Sequence, residues 1–376
     1  MRIRSIFLAL FLSIPSLAQE KPLAETWRFA ASGDSRNCGD VVMPAVAASV
    51  LQHDAQFYWH LGDFRLMSGI DEDMSARYGS NLSLEDYHRD AWGDFITHQV
   101  AAFGLLPVYL GIGNHEIYGG KTTADYVNQF AYWLDKPELR AARAADRPAS
   151  DSPSYYHWHM RHVDFITLDN AQEEGFSPAQ LAWLEGVLAK DETNADIYTV
   201  VVGMHRALPN SFACAHSMNG DLKTPAATAA KSLASGRAAY RDLLRWQKQT
   251  KKHVYVLQSH SHFFMDRIFE TPYWKNKLMP DRGVLPGWIA GTAGAKRYPL
   301  PEHIPEGIRA RTNVAGYLLG TVTPDGVITF EYQEVTPNDV PSAIHDEFKD
   351  DFIKACFLEN KASPLPMPLP PSCSEP

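Results

Sequence analysis

After its first residues the chain has no apolar run long enough to cross a bilayer. The stretch that comes nearest is residues 1–18, MRIRSIFLALFLSIPSLA, in which Arg2 and Arg4 precede a short hydrophobic core closed by Ser16-Leu17-Ala18. That layout predicts a signal peptide cut after Ala18, hence a secreted or periplasmic protein with no membrane contact after cleavage. The core is short for an uncleaved anchor, and no cysteine follows the cut, which excludes a lipoprotein. Basic charge is also scarce. Lys and Arg number 35 against 44 Asp and Glu, for a formal net charge of −9. General affinity for nucleic acid needs clustered Lys and Arg and is excluded. Internal repeats are missing, and 376 residues admit one large domain or two small ones.

Cysteine is the third shortage, with four residues: Cys38, Cys214, Cys356 and Cys373. Export to an oxidising compartment allows them to pair in three ways, with free thiols as the other state. The loops after the first and fourth strand-like runs carry Cys38 and Cys214, which predicts Cys38–Cys214, with Cys356–Cys373 stapling the tail.

What the chain does have is a set of apolar runs that stop abruptly on polar side chains. LPVYLGIGNHE, Leu106 to Glu116, reads as a buried strand ending in Gly113-Asn114-His115-Glu116, with Gly111 and Gly113 expected to permit a tight turn. WRFAASGD ends at Asp34, FYWHLGD at Asp63, IYTVVVGMH at His205, and HVYVLQSHSH at His260 and His262. Open α/β sheets keep their chemistry just beyond the carboxyl ends of strands. Gly-Asp turns and strand-end histidines are individually common. Five such ends in one chain point instead to a metal site, and carboxylate, carboxamide and imidazole together suit Zn, Fe, Mn or Ni.

Between these runs, residues 39–53 carry apolar groups at helical spacing. SPAQLAWLEGVLAK predicts a helix capped by Ser177 with Pro178 in its first turn, and 226–250 predicts another. The polar, aromatic segment 66–105 reads as a partly helical insertion over the site, and its His88 and His98 stay outside the site. YYHWHMRHVDFITLDN holds three histidines, but alternation predicts a structural hairpin turning at Arg161-His162. His157, His159 and His162 are therefore given no metal role. GWIAGTAGA and AGYLLGTVTPDGVITFEYQEV supply the last strands. The tail, 336–376, is predicted to hold a helix and the proline-rich ASPLPMPLPPS.

The ordered motifs GD at 34, GD at 63, GNHE at 113–116, GMH at 203–205 and SHSH at 259–262 resemble those of the calcineurin-like metallophosphoesterases, nearest the purple acid phosphatase branch. The resemblance covers residues 27–335. It implies an α/β, four-layered αββα sandwich of two mixed sheets flanked by helices, with two metal ions (Fe, Mn or Zn) at one edge. Asp34 and His262 would hold the first ion, Asp63 would bridge, and Asn114, His205 and His260 would hold the second. His115 would sit beside the leaving group as an imidazolium, with Glu116 either orienting it or stabilising the turn. The implied reaction is hydrolysis of a small phosphomonoester or phosphodiester by in-line attack of metal-bound hydroxide.

One motif departs from the family. The usual Asp-x-His is Asp34-Ser35-Arg36 here, and Leu66 stands where the purple acid branch has a tyrosine. A guanidinium has no free lone pair, so Arg36 cannot replace the histidine as a ligand. Three outcomes are open: water or Asn37 completes the first site, Arg36 grips a phosphate oxygen, or Arg36 fills the gap and leaves a mononuclear or inactive site. Arg206, next to His205, is a second candidate phosphate contact. An active phosphoesterase is expected; the rivals are a non-catalytic ligand-binding relative and a metal hydrolase of another ester.

Overall fold

The computed structural model describes residues 25–79, 81–221, 223–277, 283–361 and 373. The expected signal peptide and most of the proline-rich tail fall outside these. Twelve strands are described: β1 (Trp27–Ser32), β2 (Ala55–His60), β3 (Val108–Leu110), β4 (Tyr156–Met160), β5 (Val163–Thr167), β6 (Thr199–Met204), β7 (His253–Gln258), β8 (Phe264–Asp266), β9 (Gly287–Ala290), β10 (Ala310–Arg311), β11 (Ala315–Val322) and β12 (Ile328–Val335). They form two mixed sheets, in the orders β12-β11-β1-β2-β3 and β10-β8-β9-β7-β6-β5-β4. Within them β1-β2-β3 run parallel, as do β5-β6-β7-β9.

The parallel runs matter because they bring the carboxyl ends of many strands to one edge. Alternation in β1 and β2 sends Trp27, Phe29, Phe57 and Trp59 into the layer between the sheets. There Phe29 stacks on Phe57 with ring centroids 5.3 Å apart, and Phe165 from the other sheet meets Phe57 edge-on at 5.0 Å. Gly203 of β6 is needed here for space: any Cβ would collide with the Trp59 indole.

Helices cover the outer faces. The helix α1 (Gly39–Gln52) lies against the smaller sheet, near α2 (Glu72–Tyr78) and α3 (Leu84–Phe95) from the expected insertion. The larger sheet is covered by α4 (Pro178–Thr193) and α5 (Ala226–Thr250), whose Trp183, Leu184, Leu243 and Trp246 pack on Val200, Val202, Val254 and Val256. The Ser177 side chain accepts from the Gln180 amide, 3.1 Å away, and starts α4 as its sequence predicts. Among the described residues no helix is long and apolar enough to cross a membrane.

The cysteines do not pair as the loops suggested. The bonds are Cys38–Cys356 and Cys214–Cys373. The reason lies in the C-terminal helix α6 (Asp350–Leu358), which buries Ile353, Cys356 and Phe357 against the core instead of trailing in solvent. Its far end is held by Arg297, which donates to the carbonyl of Asn360 at 3.1 Å. Cys356 is thereby delivered to Cys38, at the start of α1.

Candidate metal centre

Asp34, Asp63, Asn114, His205, His260 and His262 come together at the carboxyl ends of β1, β2, β3, β6 and β7. Asp34, Asp63 and His260 share an unusual backbone, with φ of 62°, 60° and 63°. The left-handed region is uncommon outside glycine, although Asp, Asn and His tolerate it best, and such strain collects at functional sites. Here it bends each chain at the strand end so that the side chain turns into the cleft.

His205 is the hub. Its Nδ1–H donates to the Leu61 carbonyl and the Ser259 hydroxyl, each 3.0 Å away, so in the neutral ring the lone pair sits on Nε2. That lone pair faces three further lone-pair atoms: His260 Nδ1 at 3.0 Å, Asn114 Oδ1 at 3.1 Å and Asp63 Oδ1 at 3.3 Å. Four lone-pair groups converge on a small volume, and only a cation reconciles them. Burial opposes protonation of His205, yet the Asp63 and Asp34 carboxylates overcome it and raise the pKa. The same pull keeps Asp63 ionised well below the usual carboxylate range, against the cost of burial. Burial and the neighbouring His205 hold His260 neutral, with one ring-nitrogen lone pair available. Both Asp34 Oδ1 and Asp63 Oδ2 are buried without any hydrogen-bond donor. These residues fit a metal.

The other half of the centre is different. His262 donates from Nδ1 to the Lys296 carbonyl, and its Nε2 lies 3.2 Å from Asp34 Oδ1. However, that Nε2 also receives Arg36 Nη2 at 2.9 Å, while Arg36 Nε stands 3.6 Å from Asp63 Oδ2. The guanidinium lies among Asp34, Asp63 and His262. The Arg36 side chain lies within reach of both His262 and Asp63. Asn37 is not available as a substitute ligand, because its amide donates to Glu72 at 2.8 Å and its carbonyl accepts from the Lys296 amide at 3.2 Å.

His115 stands across Asp63 from Arg36, with Nε2 3.8 Å from the same Oδ2. Its Nδ1–H is committed to the Leu66 carbonyl. Burial, with Asp63 opposing it and Arg36 adding to it, brings its pKa down to about 4. Glu116 does not orient it. The Glu116 carboxylate accepts from the amides of Gly113, Asp63 and Phe64 at 2.7, 2.8 and 2.8 Å, and so fastens the Asp63 turn to the Asn114 turn. Arg206 is half-buried and donates to the Ala171 carbonyl at 3.0 Å, its backbone held by Asn170. It borders the site without entering the metal-ligand cluster.

Two residues near the centre, Tyr298 and His216, carry no readable signal in the sequence. Tyr298 stacks between His262 and His216, with centroids 4.0 and 4.5 Å away. His216 in turn meets the edge of His260 at 5.6 Å. Ser259, beyond fixing His205, lies so close to Gly33 that a Cβ there would come within 2.5 Å of its hydroxyl. His216 and Tyr298 belong to loops whose positions depend on tertiary contacts, the first tied down by Cys214–Cys373. His88 bonds the Met67 carbonyl at 2.8 Å, and His98 joins Asp94 at 3.0 Å in a buried network around Arg65, where Asp40, Asp94 and His98 form a further group of ligand-type side chains.

Solved structures with this architecture exist. The purple acid phosphatase PPD1 from seeds of yellow lupin (Lupinus luteus) superposes with a TM-score of 0.54 at 13% identity, over 92% of this chain. The chain spans 57% of the lupin protein's length. PhoD aligns over 84% of this chain and 73% of its own, with a TM-score of 0.49 and 14% identity. The fold is that of the α/β metallophosphoesterase sandwich. No family model matches the sequence, and no curated protein matches it.

Proposed function

We propose that the protein is an exported metal-dependent phosphoesterase acting on small phosphate esters. The observation that carries this is the His205 lone pair facing His260, Asn114 and Asp63. A divalent ion held by those four would polarise the phosphoryl group and lower the pKa of a bound water. The purple acid phosphatase fold supports the reading, and the two disulfides support export to an oxidising compartment.

The chain's own groups divide the remaining work. Arg36 brings a permanent positive charge beside Asp63, where the family resemblance implies a first metal ion, and in this reading it grips a phosphate oxygen through its free donors. His115 offers an unprotonated Nε2 on the other side of Asp63. A phosphate dianion there opposes the burial that keeps the ring neutral, so Nε2 takes up a proton and passes it to the departing alkoxide. Glu116 keeps the two turns in register. Arg36 thus supports one tightly held ion in place of the two the resemblance implies. The donor-free Asp34 Oδ1 favours a second reading, in which Arg36 swings onto the substrate and a second ion binds Asp34 and His262.

The test is hydrolysis of chromogenic phosphomonoesters and diesters by the purified mature protein with added Mn or Zn, alongside metal analysis. Activity is expected to fall about 100- to 1,000-fold in His205→Ala, on the scale of losing a principal catalytic interaction. Bound metal near one per chain supports the Arg36 reading, and near two the second. Absence of hydrolysis with every metal and ester would sink the proposal.

A further inference from the structure

A second group of ligand-type side chains lies on the β4–β5 hairpin, at the strand ends opposite the candidate centre. His159 of β4 pairs directly across from Asp164 of β5, and His157 shares that face two residues away. The alternation read from the sequence is right, but it could not foresee Asp191, which α4 lowers onto the same face. His159 Nε2 is 3.5 Å from Asp164 Oδ2 and 3.9 Å from Asp191 Oδ1.

The electrostatics here are incomplete. The side chains of Asp164 and Asp191 are fully buried, and neither Asp191 oxygen nor Asp164 Oδ1 meets a donor. His157 cannot supply what is missing, since its Nδ1 is 2.8 Å from Asp164 Oδ2 and its Nε2 3.2 Å from Asp146 Oδ1. Lys252 is nearby, yet its ammonium donates to the backbone carbonyls of Asp191, Glu192 and Asn194. The His157 imidazolium answers the charge of Asp164, but buried Asp191 beside it has no such partner and requires a cation or a proton. His159 is 38% exposed, which leaves a path from solvent to its Nε2.

We propose that His159, Asp164 and Asp191 bind one divalent transition-metal ion of the zinc or manganese class, independent of the candidate centre. One imidazole and two carboxylates suit those ions. Ligand atoms around a tetrahedral zinc lie about 3.3 Å apart, so the observed 3.5 and 3.9 Å need to close by only a few tenths of an ångström. His157 is a positioning residue that holds Asp164. Since β4 is the edge strand of the larger sheet, the ion would pin that edge to α4. The rival occupant is a proton shared by the two carboxylates; burial and then Asp164 push the pKa of Asp191 up to about 9.

The experiment compares the native chain with Asp191→Asn and His159→Ala, each stripped by chelator and reloaded with zinc or manganese chloride alone. Asp191→Asn is isosteric and His159 is partly exposed, so both variants should fold. Expected is one fewer metal equivalent per chain by elemental analysis in each variant, and a smaller rise of Tm on reloading. Ester hydrolysis should stay unchanged. An unchanged metal ratio in both variants would overturn the proposal, and a raised Tm in Asp191→Asn at an unchanged ratio would assign the site to the shared proton. Loss of ester hydrolysis in the native chain would bear on the candidate centre and not on this site.

Discussion

Arg36 donates through Nη2 to Nε2 of His262 at 2.9 Å and so takes up the lone pair with which that histidine would bind a metal. Arg36→His removes the guanidinium and restores a ligand-capable ring at this position. The variant is expected to bind about one more zinc per chain than the native protein, by elemental analysis after dialysis. Arg36→Ala frees the lone pair without adding a ligand. It should lose about 10- to 100-fold in kcat/KM, the range for one charged hydrogen bond of about 1.5–3 kcal/mol. Unaltered metal content in Arg36→His, together with unaltered kcat/KM in Arg36→Ala, would remove Arg36 from the site.

Glu116 acts through the backbone. Glu116→Ala leaves the amides of Asp63, Phe64 and Gly113 without their acceptor in a buried turn. An unsatisfied buried donor costs roughly 1–3 kcal/mol, and misplacing a residue that supports a metal ligand typically weakens metal binding about 10- to 100-fold. Both losses are expected in Glu116→Ala, read by denaturant titration and metal competition. Glu116→Gln keeps one carbonyl oxygen and should recover part of each. If it orients His115 instead, the pH profile of turnover should shift while metal affinity stays put.

The strand-end ligands were legible in the sequence because each is a local event: an apolar run, a glycine, then a polar group. Gly113 illustrates the limit. It reads as a turn residue, but its φ of −111° and ψ of −179° are extended, and it is glycine because a Cβ would collide with Asp63 Oδ1. That reason involves a residue fifty positions away. Tyr298, His216 and Asp191 were hidden for the same cause, since each becomes relevant only once loops or helices dock. The disulfides followed suit, because their pairing depends on where α6 packs. Periodicity reports what a segment buries and says nothing of which distant segment will lie against it.

His60 lies beneath the centre and gives a prediction with a definite sign. The Gly62 amide donates to its Nδ1 at 3.2 Å, so the ring proton is on Nε2 and is given to the Ser35 hydroxyl at 3.0 Å. Burial brings its pKa down to about 3, against about 6.5 in an unfolded chain. As pH falls through about 6.5, the unfolded chain takes up a proton that the folded chain refuses. The group's contribution to stability is therefore complete above that pH and is lost progressively toward the folded pKa. His157, raised to about 10 by its carboxylate partners against the effect of burial, is charged in both states below pH 6 and adds no slope there. Other groups also contribute slope there, among them Asp191 and Glu116, which burial raises to about 9 and about 7, but they are common to both proteins and cancel in the comparison with a His60 variant. His60→Gln should flatten the fall in unfolding free energy over that interval by about 1.4 kcal/mol per pH unit, measured by urea titration at each pH. Parallel curves for the native and variant proteins would mean that His60 is already protonated in the fold and that its bond from Gly62 is wrongly assigned.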